Sequence, residues 1–340
     1  MTRDKKNKGI SLIFTVKNEE DSIEQLLDSI MCQSIKPDEV VIVDGGSTDE
    51  TLSLITHHRI MQILPVKLIE QDVNISKGRN IAIANSEFEI IASTDGGCKL
   101  DENWLEKITA PFVDPNTHIV SGVYLPCYTT NFEKIASMII FPDINQLSQQ
   151  SFLPSSRSIA FRKKIWEIVG GYPEWLDTAE DTLFDLRIKH LEFKFKLVRE
   201  AIVYWRVRSH TWQIFKQYYR YAKGEGLELL FAGRYVARYL AFFLMLVLIS
   251  QFWYNIAFWP LAGFFVLFLL WLKYLRKIAK PERIPIAISV AISIEIGLIM
   301  GYTLGVLIKM KASFVKNFKV ANLSLTRNTI NSVSGESADD

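Results

Sequence analysis

Residues 10 to about 125 alternate short β-branched runs with segments of helical period, and that alternation restricts the chain to parallel strands joined by crossover helices. The first run, Ile10–Val16, is followed by Ile23, Leu26, Leu27 and Ile30 on one helical face. A second, Val40–Val43, ends in Asp44-Gly45-Gly46-Ser47-Thr48-Asp49-Glu50. Ser47 and Glu50 have capping-box spacing, which predicts a helix that starts at once with its N-terminus aimed at the strand end. A third strand is expected near Val66–Ile69, and another helix opens at Ser76-Lys77-Gly78-Arg79-Asn80. The fourth strand stops at Asp95-Gly96-Gly97. In such a sheet ligands collect beyond the strand ends, so Asp95 is offered to whatever binds there. The two glycines allow a sharp turn and the close approach of an anion.

Downstream, Asp101 is placed to cap a helix that carries Trp104, Leu105 and Ile108 on one face, and His118–Val123 reads as a strand. The stretch 124–160 is broken by Pro126, Pro142 and Pro154 and predicts loops and a helix that shape an acceptor side. Ser158–Phe161 is then a strand, and Arg162–Val169 a helix stopped by Gly170-Gly171. A helix from Glu180-Asp181 to about His190 and two strands, Phe193–Val198 and Ala201–Trp205, complete this part.

Composition excludes several classes. With 49% apolar and 22% charged residues the 340-residue chain has material for a full core and is not disordered, and its net charge of +2 gives no footprint for nucleic acid. Cys32, Cys98 and Cys127 form no C-x-x-C pair and are odd in number, so neither a disulfide framework nor a zinc site is indicated. A reducing, cytoplasmic exposure is the simplest inference. The apolar run near the N-terminus is only a strand's length and ends in Lys17-Asn18-Glu19-Glu20, so no cleavable signal peptide is expected.

Four separated pieces stand in a shared order: Thr15-Val16-Lys17-Asn18-Glu19, Val43-Asp44-Gly45-Gly46-Ser47-Thr48-Asp49, Thr94-Asp95, and Gly170-Gly171-Tyr172 with Glu180-Asp181. In that order, over roughly residues 10–226, the chain resembles the family 2 glycosyltransferases with a GT-A fold. The resemblance implies an α/β domain of GT-A (Rossmann-like) type, a mixed, mainly parallel sheet with flanking helices, followed by α-helical transmembrane segments. It implies that Thr15, Glu19 and Asp44 contact the base and ribose of a nucleotide-sugar, with Arg79 near the nucleotide. Asp95 would hold Mg²⁺ or Mn²⁺ on the pyrophosphate, and Asp181 would be the catalytic base with Glu180 beside it.

The pattern departs from the family at three places. Gly96-Gly97 stand where a second acid usually follows, Tyr204-Trp205 stand where many members carry a histidine, and Lys17 replaces a common aromatic. His210 is a weak candidate for the missing ligand.

From Tyr239 to Leu272 the chain has 34 residues without a charge, too long for one ordinary span of a bilayer core about 30 Å thick. Two short helices, 239–255 and 257–272, with Trp253, Tyr254 and Trp259 at the far interface, are expected. A third apolar segment, 284–308, is interrupted by Glu295, which is expected to face other helices or a polar cavity. Gly297, Gly301 and Gly305 on the same helix predict close helix packing. Lys273, Arg276, Lys277, Lys280 and Arg283 place the intervening loop, and with it the catalytic domain, on the cytoplasmic side. Lys309, Lys311, Lys316 and Lys319 also favour that side, which three full spans do not allow. Either the rule fails here or one segment is re-entrant or interfacial.

The expected organisation is a basic tail at 1–9, a GT-A domain at 10–210, an amphipathic linker at 211–236, a membrane region at 237–308 and a tail at 309–340. The linker helix, Thr211–Lys223, either lies on the membrane or packs on the catalytic domain. The function expected is that of an inverting glycosyltransferase of the hexosyltransferase class, moving sugar from a nucleotide-sugar to a lipid-linked, membrane-bound acceptor in glycan or cell-envelope biosynthesis. The alternatives are a processive polysaccharide synthase, for which Gln217-Tyr218-Tyr219-Arg220-Tyr221 lacks the Gln-x-x-Arg-Trp pattern, and a decayed nucleotide-binding scaffold.

Overall fold

The computed structural model describes residues 9–149, 152–254, 274, 278 and 280–334, the last twenty of them by backbone alone. Its contacts divide the chain into two units. The first runs to Gln213 and takes in the head of the last helix up to Ala291.

In the first unit β1 (Ile10–Val16), β2 (Glu39–Asp44), β3 (Val66–Glu70) and β4 (Ile90–Ser93) are parallel neighbours in the order 3-2-1-4. Every residue of β2 is buried, as expected for a parallel strand covered on both faces. Successive β1 residues serve opposite sides: Leu12 and Phe14 pack with Leu26 and Leu27 of α1 (Ile23–Met31), while Ile13 packs with Val41, Ile91 and Phe161. The chain visits β2 and β3 on one side of β1 and β4 on the other, which opens a crevice at the C-terminal ends of β1 and β4.

The two helices after β2, α2 (Thr51–His57) and α3 (Ile60–Ile63), start later than the capping-box reading required. The Ser47 hydroxyl is engaged by Asp44, and Asp49 Oδ1 accepts the Thr51 N–H at 3.1 Å instead. A true capping box stands elsewhere, where Thr130 and Glu133 open α6 (Asn131–Ile140) in the stretch expected to hold loops and a helix. Asp101 likewise stands ahead of the helix it was expected to cap, since α5 (Trp104–Thr109) follows Asn103.

Beyond α4 (Ile75–Ala84) and β4, a short strand β5 (Cys98–Leu100) pairs at the far edge of the sheet. The second half of the sheet is β6 (Ile119–Cys127), β7 (Ile159–Arg162) and β8 (Phe195–Arg206), with β7 antiparallel between β4 and β6 and α7 (Lys163–Val169) directly after it. The two strands expected at 193–205 are therefore one. Its pairing with β6 jumps from Leu197 opposite Ser121 to Ile202 opposite Val123. Gly122 sits at the jump, where an added methyl would collide with Ser158 Oγ and the Ala201 carbonyl. The eight-stranded order is 3-2-1-4-7-6-8-5, a mixed, mainly parallel sheet flanked by helices, including α8 (Glu180–His190).

The second unit holds α9 (Thr211–Leu227) from Ile214, α10 (Ala232–Tyr254) and α11 (Ile284–Ser334) from Ile292. Methyl groups at Gly297, Gly301 and Gly305 would meet the backbone of α9 at Phe215, Tyr219 and Lys223. The close packing expected of these glycines is thus made with α9. Glu295 faces another helix, its Oε2 at 3.1 Å from Arg238 Nε of α10. Among the described residues one helical stretch, Pro281–Phe314, is long and apolar enough to cross a membrane. The expected segment 239–255 falls largely within α10, and 257–272 lies outside the described residues.

Candidate active site

The crevice is built from strand ends. Asp44 closes β2 beside Val16 of β1, and its buried carboxylate turns back on its own loop. Oδ2 accepts the N–H groups of Gly46 at 3.1 Å and Ser47 at 3.0 Å, and Oδ1 accepts the Ser47 hydroxyl at 2.5 Å. Asn18, in left-handed conformation with φ 55°, ties this loop to the end of β1: its N–H donates to Ser47 Oγ and its Oδ1 accepts the Thr48 N–H at 2.8 Å. The Thr15 methyl group packs over Gly78 of α4.

Glu19 lies over the Asp95-Gly96-Gly97 turn and accepts the Ser22 hydroxyl at 2.7 Å. Burial raises its carboxyl above the ordinary range against the Ser22 hydrogen bond and Arg208, and Asp95 adds to the rise. Glu19 is therefore grouped with Asp95 more closely than with Asp44.

Arg79 is the centre of the arrangement. Its side chain is 2% exposed, so it stands inside the domain rather than on a solvated helix face. Nη2 donates to Asp95 Oδ1 at 2.6 Å and Nη1 to Glu180 Oε1 at 2.5 Å. The guanidinium also lies 5.4 Å from the ring of Tyr172, which stacks on Phe184 of α8 at 4.2 Å. One cation thus joins the end of β4 to the first turn of α8.

A single guanidinium does not neutralise two buried acids equally. Burial alone would raise Asp95, but Arg79 and then Arg157 overcome it and hold the carboxyl below its usual value. Glu180 goes the other way: burial and the neighbouring Asp181 raise it to about 7 despite Arg79. Asp181 itself is half-buried, and its Oδ1 accepts the Thr182 N–H at 2.8 Å. Ala179, directly before both acids, has φ 62°, a strained conformation for a residue with a Cβ.

Arg157 was not anticipated, because it lies between β6 and β7 in a segment without periodicity. Its Nε is 3.5 Å from Asp95 Oδ2, and its guanidinium carbon sits 4.3 Å from the Trp205 ring centre. Two basic groups therefore face Asp95. Thr94 Oγ1 and Asp185 Oδ2 are also buried here without a hydrogen-bond partner, and burial and then Asp181 raise Asp185 well above the usual carboxylate range.

The side chains present do not make a metal centre of their own. Both oxygens of Asp95 face guanidinium groups, and no group of three or more His, Cys, Asp or Glu suited to a metal occurs among the described residues. His210 is exposed at the head of α9, where its carbonyl accepts the Gln213 N–H. The expectation of Mg²⁺ or Mn²⁺ held by Asp95, with His210 as a weak second ligand, is not matched by a donor set here.

The sheet order and the flanking helices make a GT-A-like domain, and the comparisons agree. The profile of glycosyl transferase family group 2 matches residues 95–275, more than half of the chain, and that of glycosyl transferase family 2 matches residues 11–168. The chain belongs to this family and is a glycosyltransferase. It is 27% identical over 224 residues to the O-antigen chain rhamnosyltransferase RfbN of Salmonella typhimurium, covering 62% of this chain and 70% of that protein. It is 24% identical over 222 residues to the glycosyltransferase AglE of Haloferax volcanii, covering 64% and 72%. The mannosyltransferase PcManGT from Pyrobaculum calidifontis, solved with GDP-Man and Mn²⁺, shares the fold with a TM-score of 0.56 at 18% identity, covering 88% and 87%.

Proposed function

We propose that the protein is an inverting glycosyltransferase that moves a sugar from a nucleoside-diphosphate donor to a lipid-linked acceptor at a membrane, in glycan or cell-envelope synthesis. The observation that carries this reading is the Arg79 bridge, which joins the strand-end acid Asp95 to Glu180-Asp181 in one cluster. The relatives named for O-antigen chain transfer support an acceptor of this kind. An apolar helix long enough to cross a membrane supports anchorage, with the catalytic domain on the cytoplasmic side.

In this reading Thr15, Asp44 and Glu19 line the nucleotide side of the crevice, with Arg79 holding Asp95 and Glu180 in place. Asp181 takes the proton of the acceptor hydroxyl as its oxygen bonds to the anomeric carbon. The bond from that carbon to the diphosphate breaks on the opposite face, which inverts the configuration.

Asp181→Asn tests the reading, since it keeps volume and first-turn hydrogen bonding but removes the base. Membranes carrying the variant, incubated with radiolabelled nucleotide-sugars, are expected to transfer sugar to lipid extract at a rate lower by about 10²-fold or more. Donor affinity stays nearly unchanged. Transfer at the wild-type rate would place the base elsewhere, and lost donor affinity would give Asp181 a structural role.

A further inference from the structure

We propose that Arg157, rather than a divalent cation, meets the terminal phosphate of the donor diphosphate beside Asp95. The proposal rests on the glycosyltransferase reading and concerns which positive group serves it. Arg79 is unsuited to that work, because it is fully buried and both of its Nη atoms are committed to carboxylates. Arg157 is less enclosed and lies farther from the carboxylate. Its side chain is 18% exposed, and its contact with Asp95 is 3.5 Å, against 2.6 Å for Arg79.

The position is built rather than incidental. Ser155 Oγ accepts from Arg157 Nη1 at 2.9 Å, and the flat face of the guanidinium is held 4.3 Å from the Trp205 ring and 5.9 Å from the Tyr124 ring. Stacking of this kind orients the plane of the fork while its donors point along the plane. The loop below is pinned on both sides. Ser93 Oγ, at the end of β4, donates to the Ser156 carbonyl at 3.1 Å, and Ser156 Oγ pairs with Tyr172 Oη at 2.9 Å.

Two oddities of the sequence meet at this point. Gly96-Gly97 follow Asp95 where a second acid would help to bind a cation, and Tyr204-Trp205 offer no imidazole where a histidine would. Trp205 is the ring on which Arg157 stacks. Trp205, which offers no metal ligand, instead holds a guanidinium, a group suited to phosphate oxygens.

The chemistry balances without a further reactant. The bond from the anomeric carbon to the diphosphate breaks, its electron pair goes to the phosphate oxygen, the acceptor oxygen bonds to that carbon, and the acceptor proton passes to Asp181. Arg157 donates hydrogen bonds to the phosphate as its charge grows.

Calorimetry on the full chain in detergent tests this with UDP, GDP and dTDP and their monophosphates, each in EDTA and in Mn²⁺. The expected result is a nucleoside diphosphate that binds equally well in both. Arg157→Gln should then weaken that diphosphate by about 10- to 100-fold and leave the matching monophosphate nearly unchanged. Arg157→Lys, which keeps the charge but not the fork, should fall between. Diphosphate binding that requires Mn²⁺ and ignores Arg157→Gln overturns the proposal and leaves the glycosyltransferase reading intact. Equal weakening of monophosphate and diphosphate overturns it in favour of a structural role. No nucleotide binding under any condition overturns both.

Discussion

Replacing Arg79 by Met should unsettle the first unit more than any other single change at the crevice. The substitution keeps a long apolar stem and removes a cation shared by Asp95 and Glu180 at 2.6 and 2.5 Å. Removing one partner of a buried ion pair costs about 3–5 kcal/mol, because a charge is left without compensation. Two features place this case near the lower end, about 3 kcal/mol. Arg157 stays within 3.5 Å of Asp95, and Glu180, already raised to about 7, can take up a proton instead of remaining charged. For a unit of this size about 3 kcal/mol lowers the melting temperature by about 6–12 °C.

The deficit must also depend on pH. In the wild type the depressed Asp95 contributes stability that is present above the unfolded carboxylate range and is lost as pH falls through its lowered value. In Arg79→Met both acids lack the cation, so their folded values rise and the variant loses stability as pH rises. The gap between the two proteins is therefore already present near pH 5, where Asp95 is ionised in the wild type, and is larger near pH 8. Thermal unfolding of the full chain in detergent, followed by tryptophan fluorescence, measures it. Hydrogen exchange at α4 and α8 then shows whether the loss is local to the bridge. A variant that melts within about 1 °C of wild type, or a deficit that is the same at both pH values, would refute the reasoning.

Two further outcomes are expected beside the tests of Asp181 and Arg157. Glu180→Gln should remove a falling slope in stability between about pH 4.5 and 7, because over that window the folded wild type keeps a proton that the unfolded chain has released. Melting curves of the two proteins across that range check it, and identical slopes count against a raised Glu180. Gly301→Leu should force α11 away from the Tyr219 backbone and destabilise the second unit by about 1–3 kcal/mol or more. Faster amide exchange along α9 is the readout, and unchanged exchange rules out the contact.

The parallel half of the sheet was legible because its inner strands are buried on both faces, so that β2 appears as an unbroken apolar run ending in an acid. The helices were less so. Ser47 and Glu50 have the spacing of a cap, but the Ser47 hydroxyl finds a stronger acceptor in the Asp44 carboxylate, and a local pattern gave way to a loop contact. Thr130 and Glu133 carry the same spacing in a proline-broken stretch and do form the box. The three residues of β5 are too few to show a period, and their pairing depends on β8, a hundred residues later. The partners of Arg79 and the place of Arg157 were hidden for a related reason. A basic residue on a helix is ordinarily solvated, and only the tertiary fold brings Glu180, 101 residues away, against it.

The same bridge explains how two adjacent acids can differ in role. Glu180 and Asp181 are consecutive on α8, so their side chains leave the helix about 100° apart. Glu180 points inward to Arg79 and is buried, whereas Asp181 remains half-buried and bonds only to its own helix turn among the contacts described. Under the proposed reading the inward acid fixes the position of the outward one. Its raised carboxyl, which burial and then the charge of Asp181 push up, also limits the negative charge at this turn. Arg79 then acts at a distance from the chemistry: it holds the end of β4 and the start of α8 at one spacing, and that spacing separates the phosphate side of the crevice from the base.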